Sequence, residues 1–297
     1  MRPYAGTGLV APGALSPGPH GATLLGAAAD PPAWFKEDFS SYASTANLLA
    51  NPNGWYSTGE DVCGNSAPNG TCPTSDVGTI WLDTGVGLNV GGHSLTQSMR
   101  YDQVDGGICS GPSVGRNITL PSSVTEVWVS VWLKWSVGWT AADSRAGGGC
   151  DPDYKLLFGR ITGAGDRWSL GIEGGEGSAD EYFIASYPPT GSSNLNVNFT
   201  GSPAAGTLAV AGFTPDSGDG WHRVRGHWKI GTGANDGVDA WWFDNNLCVN
   251  RTGINPSATT IYGLALGRNM NSGPQHTPQS YWWGLVEAWN TDPGWGA

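Results

Sequence analysis

The segment EVWVSVWLKWSVGW (126–139) alternates over most of its length. Val127, Val129, Val131 and Leu133 fall on one side of an extended chain, and Trp128, Ser130, Trp132 and Lys134 on the other. Segments of strand character recur along the sequence. They are WFKEDFSSY from Trp34, IWLDTG near 80, HSLTQSMRYDQ near 93–103, YKLLFGRI, DRWSLGIEG, EYFIASY, LNVNFT, TLAVAGF, IYGLALGRN and YWWGLVEAW. Turn-forming residues bound each one, and the spacing is roughly 10 to 15 residues. Almost no stretch carries a 3.6-residue period over three turns, so the pattern predicts an all-β chain. No internal repeat at a fixed period is visible, which argues against propellers and solenoids.

The segment from Trp221 to Asn250 reads as a hairpin around a Gly/Asn/Asp loop, ending in an Asn-Asn turn. On its first strand Val224, Trp228 and Ile230 share a face, and Arg223, Arg225, His227 and Lys229 form the opposite row. On the second, Val238, Ala240 and Trp242 alternate with Asp239, Trp241 and Phe243. Near the C-terminus Tyr281, Trp283, Glu287 and Trp289 alternate with Trp282, Gly284, Val286 and Ala288. The expected core is Val127, Val129, Val131, Leu133, Val224, Trp228, Ile230, Ala240, Trp242 and Val286. Several strands thus carry a second face that is aromatic rather than plainly solvated.

Composition sharpens this picture. Among 297 residues, Gly at 47 and Trp at 16 are abundant, and charged residues at 13% are about half the usual share. A net charge of −11 argues against a protein that coats nucleic acid, which needs an excess of clustered Lys and Arg. No run of eighteen apolar residues exists, so no membrane span is expected. Residues 1–33 form a Pro/Gly/Ala-rich arm without alternation, and 34–297 form the body. Pro and Gly interrupt the apolar stretch of the arm, so it is not read as a secretion signal. Such an arm cannot bury enough apolar surface on itself and is expected to order only by docking on another subunit or neighbouring protein.

Five cysteines lack zinc-site spacing. Cys63 and Cys72 bracket a loop that a disulfide would staple, Cys109 and Cys150 stand in Gly-rich loops as a second candidate pair, and Cys248 is left over. The N-x-S/T sequons at Asn69, Asn117, Asn198 and Asn250 are few enough, in a chain rich in these residues, to arise by chance.

The order of KEDFSSY, SMRYDQ, EVWVSVWLKWSVGW, YKLLFGRI, WHRVRGHWKI…DGVDAWWFDNN and YWWGLVEAWNTDPGW resembles the concanavalin A-like lectin/glucanase (LamG-like) jelly-roll superfamily over residues 34–297. The resemblance implies a two-sheet antiparallel β-sandwich, one sheet of which often holds a sugar chain on a concave face. It also implies that a calcium site is common, and Glu37, Asp38 and Asp292 are the candidates because the two chain ends approach each other. Hard oxygen ligands would suit that ion; capping of strand ends and turns is the competing role. No other cofactor is expected. The superfamily's paired carboxylates on one strand, needed as nucleophile and general acid, are not found. Its alginate-lyase signatures are not found either.

The candidate ligand face comprises Arg223, Arg225, His227, Lys229 and Lys134 with Trp128, Trp132 and Trp241. Cations would hold an acidic glycan and indoles would stack on sugar faces; alternatively the row pairs with acids of adjacent strands and the tryptophans pack under an arm or subunit. His227 with Tyr281 is the weak candidate for a base–acid pair. His222 is expected to be a hydrogen-bonded structural residue. These features favour a structural protein of an assembly: a capsid decoration or tail-associated sandwich on the surface of a viral or phage particle, able to bind glycan as well. The alternatives are an extracellular lectin-like module, or a lyase or hydrolase of an acidic polysaccharide.

Overall fold

A computed structural model describes residues 30–50, 55–57, 79–103, 116–137, 153–162, 165–174, 181–186, 195–198, 220–232, 236–254, 260–266 and 279–295. The arm up to residue 29, the segment TLAVAGF and the disulfide candidates Cys63, Cys72, Cys109 and Cys150 lie outside the described residues. The described elements begin with β1 (Phe35–Glu37), α1 (Thr45–Leu49), β2 (Trp55–Ser57), β3 (Thr79–Asp83) and β4 (Ser98–Gln103). Next come β5 (Arg116–Val124), β6 (Glu126–Trp135), β7 (Asp153–Ile161), β8 (Gly165–Gly174), β9 (Glu181–Ser186) and β10 (Leu195–Asn198). The chain continues through β11 (His222–Lys229), β12 (Gly237–Phe243), β13 (Asn246–Ile254), β14 (Ile261–Leu266) and β15 (Gln279–Trp289). The short α1 starts at Ser44, whose Oγ accepts the Asn47 N–H.

The strands form two antiparallel sheets. Sheet A runs β13-β12-β11-β6-β15-β4-β3, with β1 paired to β15 beyond the end of β4; sheet B runs β10-β9-β8-β7-β14-β5-β2. The fold is the antiparallel β-sandwich that the alternation predicts. Its core lies between the sheets. Sheet A contributes Val127, Val129, Val131, Leu133, Val224, Trp228, Trp241, Phe243, Tyr281 and Val286; sheet B contributes Leu157, Ile118, Leu120, Ile261, Leu264 and Leu266.

Eight of the ten expected core positions face the interior, and the two on β12 do not. Directly opposed residues of an antiparallel pair share a face. The register sets Val224 against Phe243, Gly226 against Trp241 and Trp228 against Asp239. Trp241, Phe243 and Asp239 therefore point inward, and Ala240 and Trp242 share the face of the basic row. Asp239, fully buried, is the residue that misled the reading, because a carboxylate argues against a core face.

A second departure lies in β15. A register shift between Trp283 and Leu285 breaks the alternation. Tyr281 and Trp283 point inward before it, and Val286 and Ala288 after it. Trp282, Leu285, Glu287 and Trp289 fall on the outer face. The β12–β13 turn is made by Asp244 and Asn245, with φ of 45° and 71°, one residue earlier than the Asn-Asn reading. Two successive left-handed residues suit the twist of a two-residue hairpin.

Candidate functional site

The alternation that sends the β6 valines inward sends Trp128, Trp132 and Lys134 outward. Register places Arg223 beside Trp132, Arg225 beside Ser130 and His227 beside Trp128. The predicted basic row therefore does meet two of its three predicted tryptophans on the outer face of sheet A. The third, Trp241, is 1% exposed on the core side. Lys134 is half-buried at the register position opposite Trp282.

The row is matched within the chain. Arg223 pairs through Nη2 with Asp30, and its Nε donates to Ser130 Oγ at 2.8 Å. Arg225 lies 5.7 Å from the Trp242 ring and 4.9 Å from the Trp295 ring. Burial, with the like charge of Arg223, brings its pKa down to about 10. His227 stacks on Trp128 at 4.1 Å and 7°, with Nε2 2.8 Å from a Glu126 carboxylate oxygen. Burial holds its pKa below the ordinary value, outweighing Glu126. Lys229 Nζ lies 3.6 Å from Asp236.

The same face is also covered by the chain. Leu88, Val90 and Leu95 of the β3–β4 connection, with Trp221, pack over Trp132 and Leu285. Trp221 Nε1 donates to the Gly87 carbonyl at 3.1 Å. The two chain ends cross the neighbouring area. Trp289 Nε1 donates to the Pro31 carbonyl and Trp295 Nε1 to Asp30 Oδ1, each at 2.9 Å. The row is thus not an open anion groove, and pairing with acids is the arrangement found.

The remaining candidates separate. His227 lies on the outer face of sheet A and Tyr281 on its inner face, packed on Tyr101 and Trp283, so the two cannot act on one substrate. Glu37 is buried and accepts from the Phe39 N–H at 2.8 Å and the Tyr42 hydroxyl at 2.9 Å. Asp38 pairs with Lys36 at 3.2 Å, and Asp292 accepts the N–H groups of Gly294 and Trp295. The calcium candidates thus hold turns and strand ends. Among the described residues no group of three or more His, Cys, Asp or Glu is placed to hold a metal ion. His222 Nδ1 lies 2.6 Å from Asp244 Oδ2, a bond that ties the start of β11 to the hairpin turn.

A different constellation lies on the outer face of sheet B. A register shift between Ile261 and Gly263 interrupts β14 on both sides: against β7 it leaves Tyr262 as the extra residue, and against β5 it sets Leu120–Ser123 opposite Tyr262. Ile261 and Leu264 stay in the core on either side. Gly263 pairs with Arg160, and the Arg160 guanidinium lies 5.2 Å from the centre of the Tyr262 ring. Both residues are half-buried. A side chain at Gly263 would sit 2.6 Å from the Ile118 carbonyl oxygen, so β14 needs a glycine to approach β5 here. Ala265, next on the same face, is fully buried. A guanidinium beside a phenol can grip a carboxylate and a ring face together. Sequence reasoning missed both residues, because bulges in β7 and β14 break the two-residue period that would reveal a face.

No protein-family model matches the chain, and no curated protein matches it. Solved structures share its fold. An endo-β-1,4-glucuronan lyase from the fungus Trichoderma reesei aligns with a TM-score of 0.52 at 14% identity, covering 89% of this chain and 99% of that one. An alginate lyase variant in complex with alginate tetrasaccharide aligns with a TM-score of 0.53 at 12% identity, covering 86% and 96%. At this identity the likeness is one of fold, and the fold it supports is the β-sandwich.

Proposed function

We propose that this protein binds an acidic polysaccharide on the outer face of sheet B, with Arg160 as the partner of a sugar carboxylate and Tyr262 as a ring on which the sugar rests. The observation that carries the reading is the Arg160–Tyr262 pair at a bulge on two adjacent strands. Bulges often re-aim side chains beside functional sites, and a fork of guanidinium donors matches a carboxylate. Two proteins of the same fold are named for glucuronan and alginate, which supports a carbohydrate ligand. The test is calorimetric titration with polyglucuronate, alginate and a neutral glucan. Binding of the acidic chains, weakened about tenfold or more by Arg160→Ala, is expected, since a charge-assisted contact contributes about 1.5–3 kcal/mol. Equal binding of the neutral glucan by both proteins contradicts the reading.

A second reading, cleavage by β-elimination, draws on Tyr262 standing beside the carboxylate partner. A base there removes the proton α to the carboxylate, the C4–O bond breaks, and the leaving oxygen takes up a proton. Accumulation of an ultraviolet-absorbing unsaturated product, abolished in Tyr262→Phe, distinguishes cleavage from binding alone.

The assembly role expected from the arm rests on residues outside the description. Where the description begins, Asp30 and Pro31 bond to Arg223, Trp295 and Trp289 of their own sandwich.

A further inference from the structure

We propose that Arg223 and Arg225 form a second carboxylate site, built for a sugar acid, which the chain's own ends occupy. The two guanidinium groups project from the same face of β11, two residues apart. Trp132 and Trp295 lie against Arg223, and Trp242 and Trp295 against Arg225, so aromatic rings wall both. Arg225 is 7% exposed, and its Nε has no hydrogen-bond partner among the described residues. A buried N–H left in this state is a donor built into a site whose acceptor set is incomplete.

The occupant has the chemistry of a ligand. Asp30 supplies a carboxylate to Arg223 and to Trp295 Nε1, and Trp295 supplies a flat apolar face over both arginines. Neither residue belongs to a strand. Asp30 precedes β1 and Trp295 follows β15. The cover is held by the bonds just described, by Trp295 edge contacts to Trp242 and Trp289, and by the Asp292 turn. An incoming carboxylate can therefore exchange with Asp30 without breaking a sheet ladder. Once Trp295 leaves, a pyranose ring finds the faces of Trp242 and Trp289. That aromatic wall favours a sugar acid over an acidic peptide.

This site lies on the opposite side of the sandwich from Arg160, so the two proposals fail separately. The experiment uses the full chain carrying Arg160→Ala, which silences the sheet B face. Tryptophan fluorescence and calorimetry follow titration with a glucuronic acid oligosaccharide, the matching neutral glucose oligosaccharide and an Asp-rich peptide. Adding Trp295→Ala is expected to tighten binding of the acidic oligosaccharide at least tenfold, while Trp295→Phe, which keeps a ring over the arginines, is expected not to. Further adding Arg225→Lys, which keeps the charge but removes the planar fork, is expected to reverse most of the gain. The proposal is overturned if a folded Trp295→Ala protein gains no affinity, if the neutral oligosaccharide binds equally, or if the peptide binds more tightly than the sugar acid.

Discussion

Val129 sits in the middle of β6, fully buried between the sheets. A carboxylate placed there has no partner and no water. Val129→Asp is expected to cost on the order of 4 kcal/mol, read as a large drop in melting temperature; near-wild-type melting would mean the face is wrongly assigned. His227 gives a subtler signal. Its folded pKa lies below 6.5 because burial disfavours the charged ring, and His93 is shifted in the same direction. The unfolded chain therefore takes up these protons first as pH falls. Stability is full above about 6.5 and declines below it toward the folded values. His227→Gln should flatten part of that decline in melting experiments across the window, and an unchanged slope would show that His227 titrates normally. Residue faces were legible in the sequence where polarity and burial agree, as on β6 and β11. They were not on β12, where buried Asp239 carries the opposite signal to Trp241 and Phe243.

Elements depend on features that a period of two does not encode. The bulges in β15 and β14 reverse the face of everything beyond them, and neither can be placed without the neighbouring strands. This is why the first half of β15 was misassigned and why Arg160 and Tyr262 went unnoticed. The strap between β3 and β4 makes the same point. Gly91, at φ +62°, lies so close to Trp132 that a Cβ would stand 2.5 Å from its ring. Gly91→Ala is expected to cost about 1–3 kcal/mol through backbone strain and overpacking, and to raise the accessibility of Trp132 to fluorescence quenchers. Unchanged melting and quenching would show that the strap does not clamp that indole.

At the scale of the molecule, the architecture and the existence of a cation–aromatic face were readable from alternation and composition. The state of that face was not, since its partners come from both chain ends and from a distant strap. Asp30 and Pro31, read from the sequence as part of the arm, are bonded to sheet A. Deleting residues 1–29 should leave the melting temperature of the body nearly unchanged, and deleting 1–33 should lower it measurably; equal melting of the two would remove the structural role of Asp30 and Pro31. The central claim is that the wild-type chain binds an acidic glycan on sheet B, the arginines of the predicted basic row being covered by the chain's own ends. Titration of polyglucuronate into the wild type, Arg160→Ala and Lys229→Ala tests it most directly. The account predicts an affinity loss of about tenfold or more in Arg160→Ala and little change in Lys229→Ala. Loss confined to Lys229→Ala, with Arg160→Ala binding like the wild type, would contradict it.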